Sequence, residues 1–241
     1  MSTLIERVCT VVVAGAACVV AVGVGYREFG KPTSSLDDRI LSSKQASRLL
    51  DVGRLIGDAD AKVKVTVFSD MECPFCAAFH KTALGVTRLR PKEAALVFVH
   101  YPIATHRDAR RAAVAAECAA KQYAFDKFVE HVFENQPAIF DREKRSDSTF
   151  LAEATAAGVL DTSAFTACLA DPSIGRGVDV FVALGEELGF TGTPTIVVDG
   201  RVIRGALSEQ ELIRTVKRSL RRSTPAGFLS WLPQWVLAPL R

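Results

Sequence analysis

Apolar positions along the chain fall into distinct patterns. From Val8 to Gly25 the run VCTVVVAGAACVVAVGVG carries no charge. As a helix it would reach about 27 Å, close to the ~30 Å of a bilayer core. It exceeds the usual apolar core of a cleaved signal peptide, and no clean Ala-x-Ala site follows. Residues 1–26 therefore read as a transmembrane signal anchor, with secretion after signal cleavage as the alternative. Cys9 and Cys18 are then small apolar side chains in lipid. Residues 27–48 are polar, lack a long apolar period and read as a linker. A folded unit is expected over 49–222.

Within that unit Val63-Lys64-Val65-Thr66-Val67-Phe68 alternates with period two and predicts a strand. Pro74 suits a first helical position and Pro91 a stop, which predicts a helix from Pro74 to about Arg90. Ala94 to His100 is a second, more continuously apolar strand. Helical composition then runs from Arg107 to about Asn135 and recurs over 147–157, 161–170 and 174–188. Thr195 to Val198, the turn Asp199-Gly200, and Arg201 to Arg204 predict a hairpin. A last helix runs from the N-cap Ser208 to about Arg222, with Glu211 completing a capping box. Residues 223–241 form an apolar tail with both tryptophans; Pro233 and Pro239 make it a poor spanning helix, leaving an interfacial segment or a packed or disordered end.

Composition adds little beyond this. The chain has 241 residues, 49% hydrophobic and 24% charged, with a net charge of +3. Its basic residues are spread out apart from Lys217, Arg218, Arg221 and Arg222, so nothing argues for nucleic acid.

The chemistry centres on Cys73-Pro74-Phe75-Cys76 at a strand-to-helix junction. A helix N-terminus carries unpaired N–H donors and about half a positive charge, which favours an anion on Cys73 far more than on Cys76. A free thiol titrates near 8.5, and Cys-x-x-Cys sites at helix starts are depressed. Cys73 is thus the candidate nucleophile and Cys76 its resolving partner. Asp70 and Glu72 would oppose this if they point inward. A lone Cys-x-x-Cys is equally compatible with a structural disulfide or half of a zinc site. The four histidines, His80, His100, His106 and His131, show no zinc-ligand spacing, so no metal or other cofactor is expected.

A second element, Thr191-Gly192-Thr193-Pro194-Thr195, sets a proline directly before an apolar strand. With FSDMECPFCAAF, GTPT, the IGDADAKVKVTVFSD segment and HYPIATH in this order, the chain resembles the DsbA-like branch of the thioredoxin-fold oxidoreductases over about residues 55–220. The resemblance implies an α/β thioredoxin-like fold with a helical subdomain inserted at about 104–188. It also implies a cis Pro194 beside Cys73, and main-chain docking of extended substrates at Thr193. Phe75 stands where strongly oxidising members have histidine. A phenyl ring donates no hydrogen bond to the thiolate, so a weaker oxidant is expected. Similar proteins often bridge the insertion by a disulfide, which here would join Cys118 and Cys168; two buried free thiols are the alternative.

The expected protein is a single-pass, extracytoplasmic thiol-disulfide oxidoreductase that acts on reduced or misoxidised exported proteins. A membrane redox partner, a quinone-linked oxidase or an electron donor, would recycle it. A reductase or isomerase, or a redox-inactive polypeptide-binding module, are the other readings.

Overall fold

The computed structural model describes residues 35–141 and 147–223. Strands β1 (Ser35–Ile40), β2 (Arg54–Ile56), β3 (Val63–Ser69), β4 (Ala94–His100), β5 (Thr195–Val198) and β6 (Arg201–Arg204) form one sheet in the order β1-β6-β5-β3-β4-β2. Among the described strands β3 and β4 pair in parallel, and the other pairs are antiparallel. These two strands are buried along almost their whole length, which explains the continuous apolar run of β4 and the Val and Phe content of both.

Helix α1 (Ser43–Val52) precedes β2, and α2 (Pro74–Leu89) joins β3 to β4. Among the described residues the crossover from β4 to β5 carries α3 (Ala109–Ala120), α4 (Phe125–Glu134), α5 (Gln136–Ile139), α6 (Asp147–Ala156), α7 (Thr162–Leu169) and α8 (Pro172–Glu187). Helix α9 (Glu209–Ser223) closes the domain. This is a thioredoxin-like α/β fold with a helical insertion.

The sheet is covered on both faces. Val63, Val65, Val67, Leu96, Phe98, Ile196 and Ile203 meet α2, α9 and the insertion in the larger core. Phe68, Val99, Val197 and Val202 point the other way, onto Leu49 of α1 and onto Leu184 of α8 and its C-cap Leu188. At about 25 cal/mol per Å² of apolar surface removed from water, these two layers provide the main folding force. At the β5–β6 turn, Asp199 and Gly200 both adopt positive φ, 51° and 72°, as a two-residue hairpin of this hand requires.

Two sequence expectations change. The polar stretch 27–48 is not a linker from Ser35 onward, because β1 pairs with β6 and α1 starts at a full capping box between Ser42 and Gln45. An edge strand needs main-chain partners more than an apolar face, so SLDDRI gives no period-two signal. The helical stretch expected from Arg107 to about Asn135 is two helices, separated at residues 121–124, where Tyr123 takes φ 60°. The anchor over 1–26 and the tail over 224–241 lie outside the described residues. Among the described residues no helix is long and apolar enough to cross a membrane.

Candidate active site

Strand β3 ends at Ser69, and four residues later Cys73 is the N-cap of α2 with Pro74 in the first turn. Proline costs nothing there, since its missing N–H would have no intrahelical partner. No side chain caps this helix, so the first-turn N–H groups remain available to the sulfur. Cys73 retains 4% of its surface and Cys76 only 1%, while Phe75 beside them is 54% exposed. Both cysteines are free thiols.

The two sulfurs differ sharply in acidity. Cys73 is held down to about 6, first by its hydrogen bond with Cys76, against burial, then by Thr193 and by the main-chain N–H groups of Cys76 and Phe75. Burial drives Cys76 well above the ordinary thiol value, and the neighbouring Cys73 adds to this. At neutral pH the first sulfur is a thiolate and the second a thiol.

The loop before β5 completes the site. Thr193–Pro194 is a cis peptide. In the thiol form Cys73 Sγ donates to the Thr193 carbonyl oxygen at 3.6 Å. The Thr193 hydroxyl has no partner among the described residues, which leaves it able to donate once the sulfur is ionised.

Cys73, Cys76, Phe75, Thr193 and Pro194 therefore share one locality. Cys118 and Cys168 do not belong to it: they are bonded to each other, S–S 2.02 Å, and tie α3 to α7 within the insertion. Among the described residues no group of three or more His, Cys, Asp or Glu could hold a metal ion.

The structure also fixes how Asp70 and Glu72 lie. The Asp70 carboxylate is buried and accepts from Glu72 N at 2.7 Å and Ile103 N at 2.8 Å, with His106 Nδ1 at 2.9 Å. Glu72 accepts from Asp108 N at 2.8 Å. Both carboxylates thus face the 103–108 loop, and neither is among the groups that set the Cys73 acidity. Their charges go to anchoring the loop, while the Asp70 main-chain N–H donates to Cys76 Sγ at 3.4 Å.

Gln136 carries no sequence signal of a role at the site. Its side-chain amide reaches the main chain of the active-site loop.

Such a domain, with a dithiol at a helix head facing a cis-proline loop, defines a class: DsbA-like thioredoxin-fold protein with the site of a thiol-disulfide oxidoreductase. The thioredoxin family model matches residues 50–218, and the chain belongs to that family. A thioredoxin-like oxidoreductase from Silicibacter pomeroyi DSS-3 is similar, at 25% identity and TM-score 0.60, over 70% of this chain and 93% of that one. Oxidised BdbD from Bacillus subtilis shares the fold at 24% identity and TM-score 0.62, over 71% and 95%. The Na(+)/H(+) antiporter NhaA of Herminiimonas arsenicoxydans is 28% identical over 171 residues, 71% of this chain and 26% of that protein. The chain thus spans about a quarter of that curated relative's length.

Proposed function

We propose that the chain exchanges disulfides with exported proteins through Cys73 and Cys76, acting chiefly as an oxidase. The observation that carries this reading is the split acidity of the two sulfurs beside Thr193. In the oxidised enzyme a client thiolate attacks Cys73 Sγ; the Cys73–Cys76 bond breaks and Cys76 leaves as a thiolate that takes up a proton. A second client thiolate then attacks the client sulfur of the mixed disulfide. Cys73 leaves as a thiolate, which the N–H groups of α2 stabilise, and the client gains a disulfide. A stable leaving group drives exchange in this direction. Thr193 offers main-chain groups to an extended client segment, and exposed Phe75 offers an apolar contact.

A reductase or isomerase is the second reading, favoured by Phe75, which supplies no hydrogen bond to the thiolate. In either case the hydrophobic run at 8–25 would tether the domain on the extracytoplasmic side, and a membrane redox partner would recycle it. Assaying the full chain in detergent for oxidative folding of a reduced secreted protein, beside insulin reduction with dithiothreitol, separates the readings. Faster oxidation of the secreted protein supports the oxidase, and insulin reduction alone supports the reductase. Neither activity would contradict both.

A further inference from the structure

Gln136 opens the single-turn helix α5 in the insertion and is buried. Its Nε2 donates to Met71 O at 2.8 Å and to Cys73 O at 3.0 Å. One amide nitrogen has two hydrogens, so both are committed to the loop that carries the nucleophile. The Cys73 carbonyl also accepts from Cys76 N at 3.0 Å and Ala77 N at 3.2 Å, the first hydrogen bonds of α2. The amide, this carbonyl and the opening turn of α2 therefore form one connected unit. The N–H groups of Phe75 and Cys76, which face the Cys73 sulfur, belong to that turn.

An apolar side chain of the same length would fill the space, whereas a buried amide must find partners. The partners it finds are the two carbonyls flanking Glu72.

We propose that Gln136 is a positioning residue for exchange at Cys73: by gripping Met71 O and Cys73 O, it keeps the first turn of α2 aimed at the sulfur. The helical insertion, and not the thioredoxin core alone, then sets how readily Cys73 ionises. The inference rests on the exchange chemistry proposed above.

The test is the absorbance titration of the Cys73 thiolate at 240 nm in the reduced full-length protein, for wild type, Gln136→Met and Gln136→Glu. Methionine keeps length and volume but has no donor; glutamate keeps shape but brings an acceptor and a charge. The inference expects the wild-type midpoint near 6, that of Gln136→Met higher by about half a unit or more, and that of Gln136→Glu higher still. For a half-unit shift the thiolate fraction at pH 6 should fall about twofold in the methionine variant, with reaction toward a model disulfide slowed by no more than that factor. A merely structural amide would lower the melting temperature without moving the titration. Wild type near 6 with a folded variant of either kind titrating within about 0.2 unit of it would overturn the role of Gln136 alone. Wild type near the free-thiol value would overturn the exchange reading as well.

Discussion

Cys73 Sγ lies 3.6 Å from the carbonyl oxygen of Thr193, a residue 120 positions further along the chain. The contact joins the start of α2 to the loop before β5 across the whole helical insertion. It also sets the Thr193 carbonyl beside any group bonded to Cys73 Sγ. In Cys76→Ser the resolving thiol is gone, so a client attached at Cys73 should persist as a mixed disulfide. Non-reducing gels with a reactive model disulfide should show that adduct with Cys76→Ser and none with Cys73→Ser. An adduct formed equally well by Cys73→Ser would reverse the assignment of the two sulfurs.

Phe75 is 54% exposed beside the dithiol and donates nothing to it. Phe75→His would add an imidazole donor next to the thiolate and stabilise the reduced form. Solvent screens such an interaction, which places it at the low end for a charge-assisted hydrogen bond. The reduction potential should become more positive by on the order of 30 mV. Equilibration with a glutathione redox series measures it, and a more negative potential would contradict the account.

His80 lies on α2, one turn after Cys76, buried against Phe133 and edge-on to Phe98. Neither ring nitrogen has a partner among the described residues, and burial, with a smaller contribution from Arg88, pushes its pKa down to about 4. The folded state holds the neutral ring while the unfolded chain titrates near 6.5. The unfolded state therefore binds more protons below that value. The stability associated with the neutral ring is complete above pH 6.5 and is lost as pH falls through 4. His80→Leu removes that loss and an unsatisfied polar group, so it should be neutral to about 1 kcal/mol stabilising at pH 7 and more favourable at pH 4.5. Urea unfolding at both values tests this; a variant relatively worse at pH 4.5 would contradict it.

The Cys118–Cys168 bridge spans 50 residues of sequence. By the chain-entropy estimate, opening that loop in Cys118→Ser/Cys168→Ser costs about 4 kcal/mol, an upper bound given residual structure in the unfolded state. Because neither cysteine of the bridge is among the groups that set the Cys73 acidity, the thiolate titration should stay unchanged while the denaturation midpoint falls.

Some of this was legible in the sequence because it is local. Val63 to Phe68 alternates, Pro74 marks a first helical turn, and Asp199-Gly200 marks a hairpin; each feature depends on a few neighbouring residues. The locality of Cys73 with Pro194 rested on resemblance, since no pattern rule brings residues 73 and 194 together. Strand β1 escaped because its stabilisation is main-chain pairing with β6. The three-residue β2 is too short to show a period. The direction of Asp70 and Glu72 depends on donors supplied by residues 103–108. Gln136 had no signal because both of its partners are main-chain carbonyls more than 60 residues away.

Exchange at this site requires that one sulfur of the CPFC motif be ionised at neutral pH and the other not. Alkylation of the reduced protein by iodoacetamide from pH 4 to 10, with each cysteine followed by mass spectrometry, reads this directly. The account predicts that Cys73 reacts with a midpoint near 6 and that Cys76 stays unmodified throughout the neutral range. Equal modification of both, or a Cys73 midpoint near the free-thiol value, would contradict it.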